Sequence, residues 1–350
     1  MALRPPPIKG APALLADWIE FRTLADPRRC YRVSALKRYW DTHRETEDSD
    51  PEGKRGREED TDEEGVSGSD EDIFLDSILD ELGERARAIG DSYPFDISDG
   101  ATIRLADELA DGQVIYLFCL LLANCKVGEI LDGKWLPEVT NRVRDLFQLC
   151  STLAAAGEVQ GCAISFGWPR PSENPPFLEH LRAVYARFGE GTPVAAPRAG
   201  ASPMVKDEEI DIIAWRPRTD GAAGTYYLLG QVASGDNWMA KSIKGGPIDY
   251  FHRTWFELPP ASQATASIFI PHAVPPVGDG NRRERLDLLV AKFGTIFDRL
   301  RVAPLAAAGI ALAAEHQEEL LIERIDEVPN VRAWVTAQAE CLRLSAERAV

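Results

Sequence analysis

The sequence predicts an α/β (α+β) chain: a helical N-terminal region, then a mixed central sheet flanked by helices. Three observations carry this. Up to about residue 157 apolar residues recur at helical spacing; beyond it, short apolar runs punctuated by Gly and Pro alternate with helical segments; and a 45% hydrophobic, 27% charged composition is that of a globular protein with a sizeable core. At 350 residues the chain suits two domains. We divide it into 1–157, a mostly helical region that regulates or recruits partners, and 158–350, the sheet with its C-terminal helices.

Element by element, "APALLADWIEFRTL" places Leu14, Trp18, Ile19 and Phe21 on one helical stripe, and "SALKRYW" begins a second helix. Periodicity then vanishes. Residues 45–72 hold 14 acids against Lys54, Arg55 and Arg57, and such a run cannot offset its ordering entropy by burial, so a disordered acidic loop is expected. "IFLDSILDELGERARAIG" is an amphipathic helix ending at Gly90, and "YPFDISDGATIRL" is extended. Helices follow at about 107–126 and 136–156, the second opening at Pro137.

Gly, Trp and Pro then punctuate "QGCAISFGWPRPSENPP", a strand and a loop. "FLEHLRAVYARFGEG" is a helix stopped by Gly189 and Gly191. Next come the strand "EIDIIAW", the turn "RPRTDGAAG", the strand "TYYLLGQVAS", a helix from Asn237 and the strand "ATASIFIPHAV". Helices at about 281–300 and 327–345 close the chain, and no internal repeat is visible.

The formal charge of −17 argues at first against a phosphate-rich partner, but the acidic run carries −11 of it and leaves −6 for the rest. A neutral or basic face is therefore available. Six cysteines without a CxxC pair point to free thiols and a cytoplasmic setting. The most apolar run, "VIYLFCLLLANC", is too short to span a bilayer, so it reads as a buried helix and no membrane partner is expected.

Alternate residues of a strand share a face, so Gln231 and Ala233 point the same way, and Asp211 meets them if the two strands pair as a hairpin. A carboxylate on an apolar strand needs a counter-charge, backbone donors or a divalent cation, with Arg182 one available counter-charge. His252 and His272 lack partners at metal-ligand spacing, and Trp238 reads as packing at a helix start. Arg282 and Arg283, in "NRRERLD", are either weak phosphate contacts or a solvated helix face; Lys244 is a weaker basic candidate.

With Glu179 in "FLEHL", Asp211 in "EIDIIAW" and Gln231 in "GQVASG", residues 160–300 resemble the PD-(D/E)xK, or restriction-endonuclease-like, nuclease superfamily. That core has a helix carrying a Glu, a strand hairpin carrying an Asp and then an acid or Gln followed two residues on by Lys, another helix and a further strand. The lysine position holds Ala233 instead, and Lys241 on the following segment is the candidate for a migrated lysine, ahead of Lys244. The resemblance implies a DNA endonuclease, with RNA an open alternative, serving prokaryotic defence against foreign DNA. It implies Mg²⁺ or Mn²⁺ held by Glu179, Asp211, Gln231 and the Val232 carbonyl, with Glu209 as a spare acid. Lys241 would orient the attacking water or stabilise the phosphorane. Two rivals come from other classes: a catalytically degenerate nucleic-acid-binding or scaffold subunit of a defence complex, favoured by Ala233, and an adaptor acting through the N-terminal helices.

Overall fold

The structure, a computed structural model, describes residues 2–7, 10–48, 67–97, 102–125, 130–132, 140–168, 176–201, 206–274 and 281–347. The first strand, β1 (Ala2–Leu3), leads into α1 (Pro12–Ala25), which opens with proline in its first turn, where a missing N–H costs nothing. Then come β2 (Cys30–Arg32), α2 (Ser34–Asp48), α3 (Ser67–Ile89), β3 (Phe95–Asp96) and β4 (Thr102–Leu105), with β2, β4 and β3 forming an antiparallel sheet. Both ends of the expected acidic loop are helical, because α2 runs on to Asp48 and α3 starts at Ser67; residues 49–66 lie outside the described residues.

Next are α4 (Asp111–Ala123), β5 (Leu131–Asp132), which pairs with β1, and α5 (Asn141–Val159). The expected start of α5 at Pro137 lies outside the described residues, and the described helix starts at Asn141. The central sheet begins with β6 (Cys162–Ser165). α6 (Phe177–Phe188) ends where Gly189 takes φ 79°, and β7 (Thr192–Pro193) precedes the hairpin β8 (Ile212–Trp215) and β9 (Tyr227–Val232).

Where a helix from Asn237 is expected, a short 3-10 turn occupies Asp236–Ala240, and α7 (Gly246–Trp255) starts only after the positive φ of Gly245. It is followed by β10 (Phe256–Leu258), β11 (Ala264–Phe269) and α8 (Arg282–Phe293). Asn281 and Glu284 exchange reciprocal side-chain hydrogen bonds at the α8 start. The expected single helix over 281–300 is broken at Gly294, whose φ of 76° ends α8. A side chain there would lie 2.1 Å from the Ala266 carbonyl, so glycine lets β12 (Thr295–Phe297) join the sheet. α9 (Arg299–Glu315), not foreseen in the sequence beyond residue 300, and α10 (Val328–Glu347) complete the chain.

The central sheet has the order β12-β11-β9-β8-β6; β8 pairs antiparallel with both β6 and β9, while β9, β11 and β12 run parallel. It is the mixed sheet the sequence predicts. The pleat divides its residues. Ile212, Ala214 and Leu228 join one apolar cluster with α5 and α9, whereas Ile213, Trp215, Tyr227 and Leu229 pack with α6 and α7.

α9 and α10 turn back onto helices that precede the sheet, so one apolar cluster runs from Leu15 to Leu342. α5 and α9 approach closely enough that a side chain at Gly157 would stand 2.0 Å from the Leu305 carbonyl, and one at Gly309 would stand 2.0 Å from that of Leu153. A buried polar network ties the same bundle. Arg85 bonds Asp17 at 2.6 Å and Glu20 at 3.0 Å, Arg299 bonds Asp17 at 2.5 Å, and the hydroxyls of Tyr93 and Tyr116 donate to Glu20 at 2.8 Å. Burial alone would raise the Asp17 carboxyl; the guanidiniums of Arg299 and Arg85 outweigh it and hold the group down at about 2. No described helix is long and apolar enough to cross a membrane.

Candidate functional site

Asp211 stands at the mouth of the β8–β9 hairpin, one residue before the paired stretch. Its backbone N–H donates to the Gly230 carbonyl at 2.8 Å, and its Oδ2 accepts from the Val232 N–H at 2.7 Å. Its own carbonyl accepts from the N–H groups of Phe166 and Gly167 at 2.7 and 3.0 Å, locking the end of β6 against it. A side chain at Gly167 would lie 2.5 Å from Asp211 Oδ1 and 2.6 Å from Gln148 Nε2, so both side-chain ends would have to shift to admit one.

The carboxylate faces a cavity of about 480 Å³ between the sheet and the N-terminal half of α5. Asn141, Arg144, Asp145 and Gln148 line it from α5, Trp168 from the end of β6, and Asn237 and Lys241 from the opposite wall. Desolvation pushes the Asp211 carboxyl up to about 7; the Val232 N–H and Lys241 oppose the rise, and Asp207 and Glu209 add to it. Gln148, buried on α5, donates through Nε2 to Ser165 Oγ at 2.8 Å and to the Asp211 carbonyl at 3.3 Å. Asp145 is already neutralised by Arg324, with contacts of 2.7 and 2.8 Å, and by Arg142 at 2.9 Å. Arg144 and Lys241 make no side-chain hydrogen bond or ion pair among the described residues.

Of the residues expected at the site, Asp211 and Lys241 come together with Val232 on the cavity wall. Lys241 does so from the extended residue that ends the 3-10 turn, not from one turn into a helix. Glu179 does not join them. α6 turns Phe177, Leu181, Val184 and Tyr185 to the opposite face of the sheet, which leaves Glu179 exposed and outside the cavity. Gln231 is buried, lies outside the lining, and its Oε1 lacks a hydrogen-bond partner among the described residues.

Ala233 is fully buried with Ile268 and Ile270, a place no lysine could occupy. Lys244 instead caps the end of α8, its Nζ donating to the carbonyls of Val290 and Ala291 at 3.0 Å. Arg282 pairs with the buried Asp298 at 2.6 Å, and with Arg283 it lines a separate cavity of about 340 Å³ against α3. Arg182 bonds the carbonyls of Val194 and Ala195 rather than Asp211, and Trp238 packs against Phe293.

Gln148 and Arg144 are the residues that sequence reasoning missed. The signal was present: Asn141, Arg144, Asp145 and Gln148 form a polar stripe at helical spacing, and Gln148 interrupts the apolar run 146–150. Among the described residues no three His, Cys, Asp or Glu converge as a ready-made metal cluster. No protein-family model, curated protein or solved structure matches the chain.

Proposed function

We propose that the protein is a metal-assisted phosphodiesterase of the PD-(D/E)xK type acting on DNA, with α5 rather than α6 serving as the helix of the site. The observation that carries this reading is Asp211 at the edge of a polar cavity with Lys241 across from it. The order of helix α5, antiparallel strands β6, β8 and β9, helix α7 and parallel strand β11 supports it.

The donors suit one hard, weakly held cation better than two. Asp211 Oδ1 and the Gln148 amide, its Nε2 nearer than its Oε1, converge beside Gly167; Asp211 is the carboxylate that would hold the ion, and Gln231 Oε1 on the neighbouring strand, outside the cavity lining, is an orphaned acceptor among the described residues. Mg²⁺ or Mn²⁺ bound there would supply charge neutralisation and acidify a water. Lys241 can donate to a phosphoryl oxygen that gains charge.

Ala233, and a cavity in which Asp145, the other carboxylate among the described lining residues, is already paired with Arg324, favour one second reading, a nucleic-acid-binding or scaffold subunit that has lost the chemistry. Incubation of plasmid DNA with Mg²⁺ or Mn²⁺, with EDTA as control, separates the two. Metal-dependent cutting lost in Asp211→Ala and Lys241→Ala but kept in Glu179→Ala is expected. Absence of cutting, together with no calorimetric metal binding that depends on Asp211, would leave the scaffold.

A further inference from the structure

Trp168 is the one exposed tryptophan among the described residues, 41% accessible, while Trp18, Trp215 and Trp255 are buried. It stands on the wall of the same cavity as Asp211, and it is not loosely held: its backbone N–H donates to Asp207 Oδ2 at 3.2 Å, directly after the Gly167 that abuts the Asp211 carboxylate. A wide indole left at a polar cavity gives up the burial that large aromatics usually gain. On the facing walls stand two cations, Arg144 and Lys241, without ion pairs among the described residues, and two amides, Asn141 and Asn237.

An aromatic platform beside unpaired cations is complementary to a flat base joined to a phosphate. The cavity, about 480 Å³, has room for one nucleotide unit but not for the width of a duplex. We infer that the cavity takes an unpaired nucleotide of a nucleic-acid strand, with its base stacked on Trp168 and a phosphate on Arg144. This rests on the phosphodiesterase reading for what happens next to Asp211, but binding can be tested without it. The substrate class becomes single-stranded, frayed or flapped nucleic acid. Trp168 is then a specificity-determining residue, and Arg144 a phosphate contact.

The test is fluorescence anisotropy of the full chain in EDTA with labelled oligothymidylate, the matching duplex, and unlabelled thymidine monophosphate as competitor. Single strand should bind more tightly than duplex. Trp168→Ala should weaken single-strand binding about ten-fold or more while Trp168→Phe keeps most of it, and Arg144→Ala should lower the slope of log affinity on log salt by about 0.7. Both residues are exposed, so thermal unfolding should be unchanged in these variants.

Competition by the monophosphate as effective as that of the oligonucleotide would assign the cavity to free nucleotides and overturn the strand proposal. Equal binding by wild type and Trp168→Ala, or duplex preferred over single strand, would overturn it too. Strand binding that depends on Trp168, with neither metal-dependent cutting nor Asp211-dependent metal binding, removes the phosphodiesterase and keeps the clamp; cutting that ignores Trp168 does the reverse.

Discussion

Replacing Asp211 by Asn should make the protein more stable above neutral pH and, if the proposed phosphodiesterase reading holds, abolish metal-dependent cutting. The folded carboxyl is raised from 3.8 to about 7, so the folded state binds this proton more tightly than the unfolded chain does. Its stabilising share is fully present below about pH 3.8 and is lost as the pH rises through about 7. A shift of roughly three units corresponds to about 4 kcal/mol at most, at about 1.36 kcal/mol per unit. Partial exposure of the side chain reduces that figure. We expect Asn to gain about 1–3 kcal/mol at about pH 8 and roughly a third of that at about pH 5, where the unfolded carboxyl is already ionised. Urea titrations of both proteins in EDTA at the two pH values measure this. A variant that is less stable than wild type at the higher pH, or a difference that ignores pH, would refute the idea that this carboxylate is held at a cost for the sake of function.

Three further outcomes are expected. Gly157→Ala and Gly309→Ala place a methyl 2.0 Å from a facing carbonyl, so despite a gain of about 1 kcal/mol in helix propensity each should cost about 1–3 kcal/mol net, read by denaturant melts. Asp17→Asn leaves Arg85 and Arg299 buried with less counter-charge and should cost about 3–5 kcal/mol at neutral pH. Because the Asp17 carboxyl is lowered from 3.8 to about 2, its contribution is present above about 3.8 and lost as pH falls through about 2, so the penalty should shrink in acid. Gly167→Ala should displace Asp211 Oδ1 and the Gln148 amide, weakening Mn²⁺ binding by calorimetry more than it lowers the melting temperature.

Much of the sheet was legible because its signals are local. "EIDIIAW" and "TYYLLGQVAS" alternate around a Gly-rich turn, and they pair as the expected hairpin with Asp211 at its mouth. Lys241 was legible for the same reason, lying a few residues beyond β9 on a segment that has to turn back over the strand ends. The break between α8 and β12 was harder to see, since "KFGTIFDRL" keeps apolar spacing on both sides of Gly294. Only the close approach to the Ala266 carbonyl makes the glycine a stop.

The helix of the site shows what local reading cannot reach. Both α5 and α6 flank β6 in sequence, and α6 is the more visibly amphipathic, with Glu179 on its polar side. An acid on the wet face of an amphipathic helix is what solvation alone produces, so Glu179 carried no information about the site. Gln148 is the opposite case: a polar side chain inside a run that includes Leu146, Phe147, Leu149 and Cys150, all buried. Burying an amide there requires partners, and the only way to supply them is to bring Ser165 and the Asp211 backbone against α5. The choice between the two helices is decided by α9, more than 130 residues later, which packs along α5 through Gly157 and Gly309 and so fixes the sheet face on which α5 lies. A polar residue that breaks an apolar stripe is therefore the better guide to the site than an acid that completes a polar one.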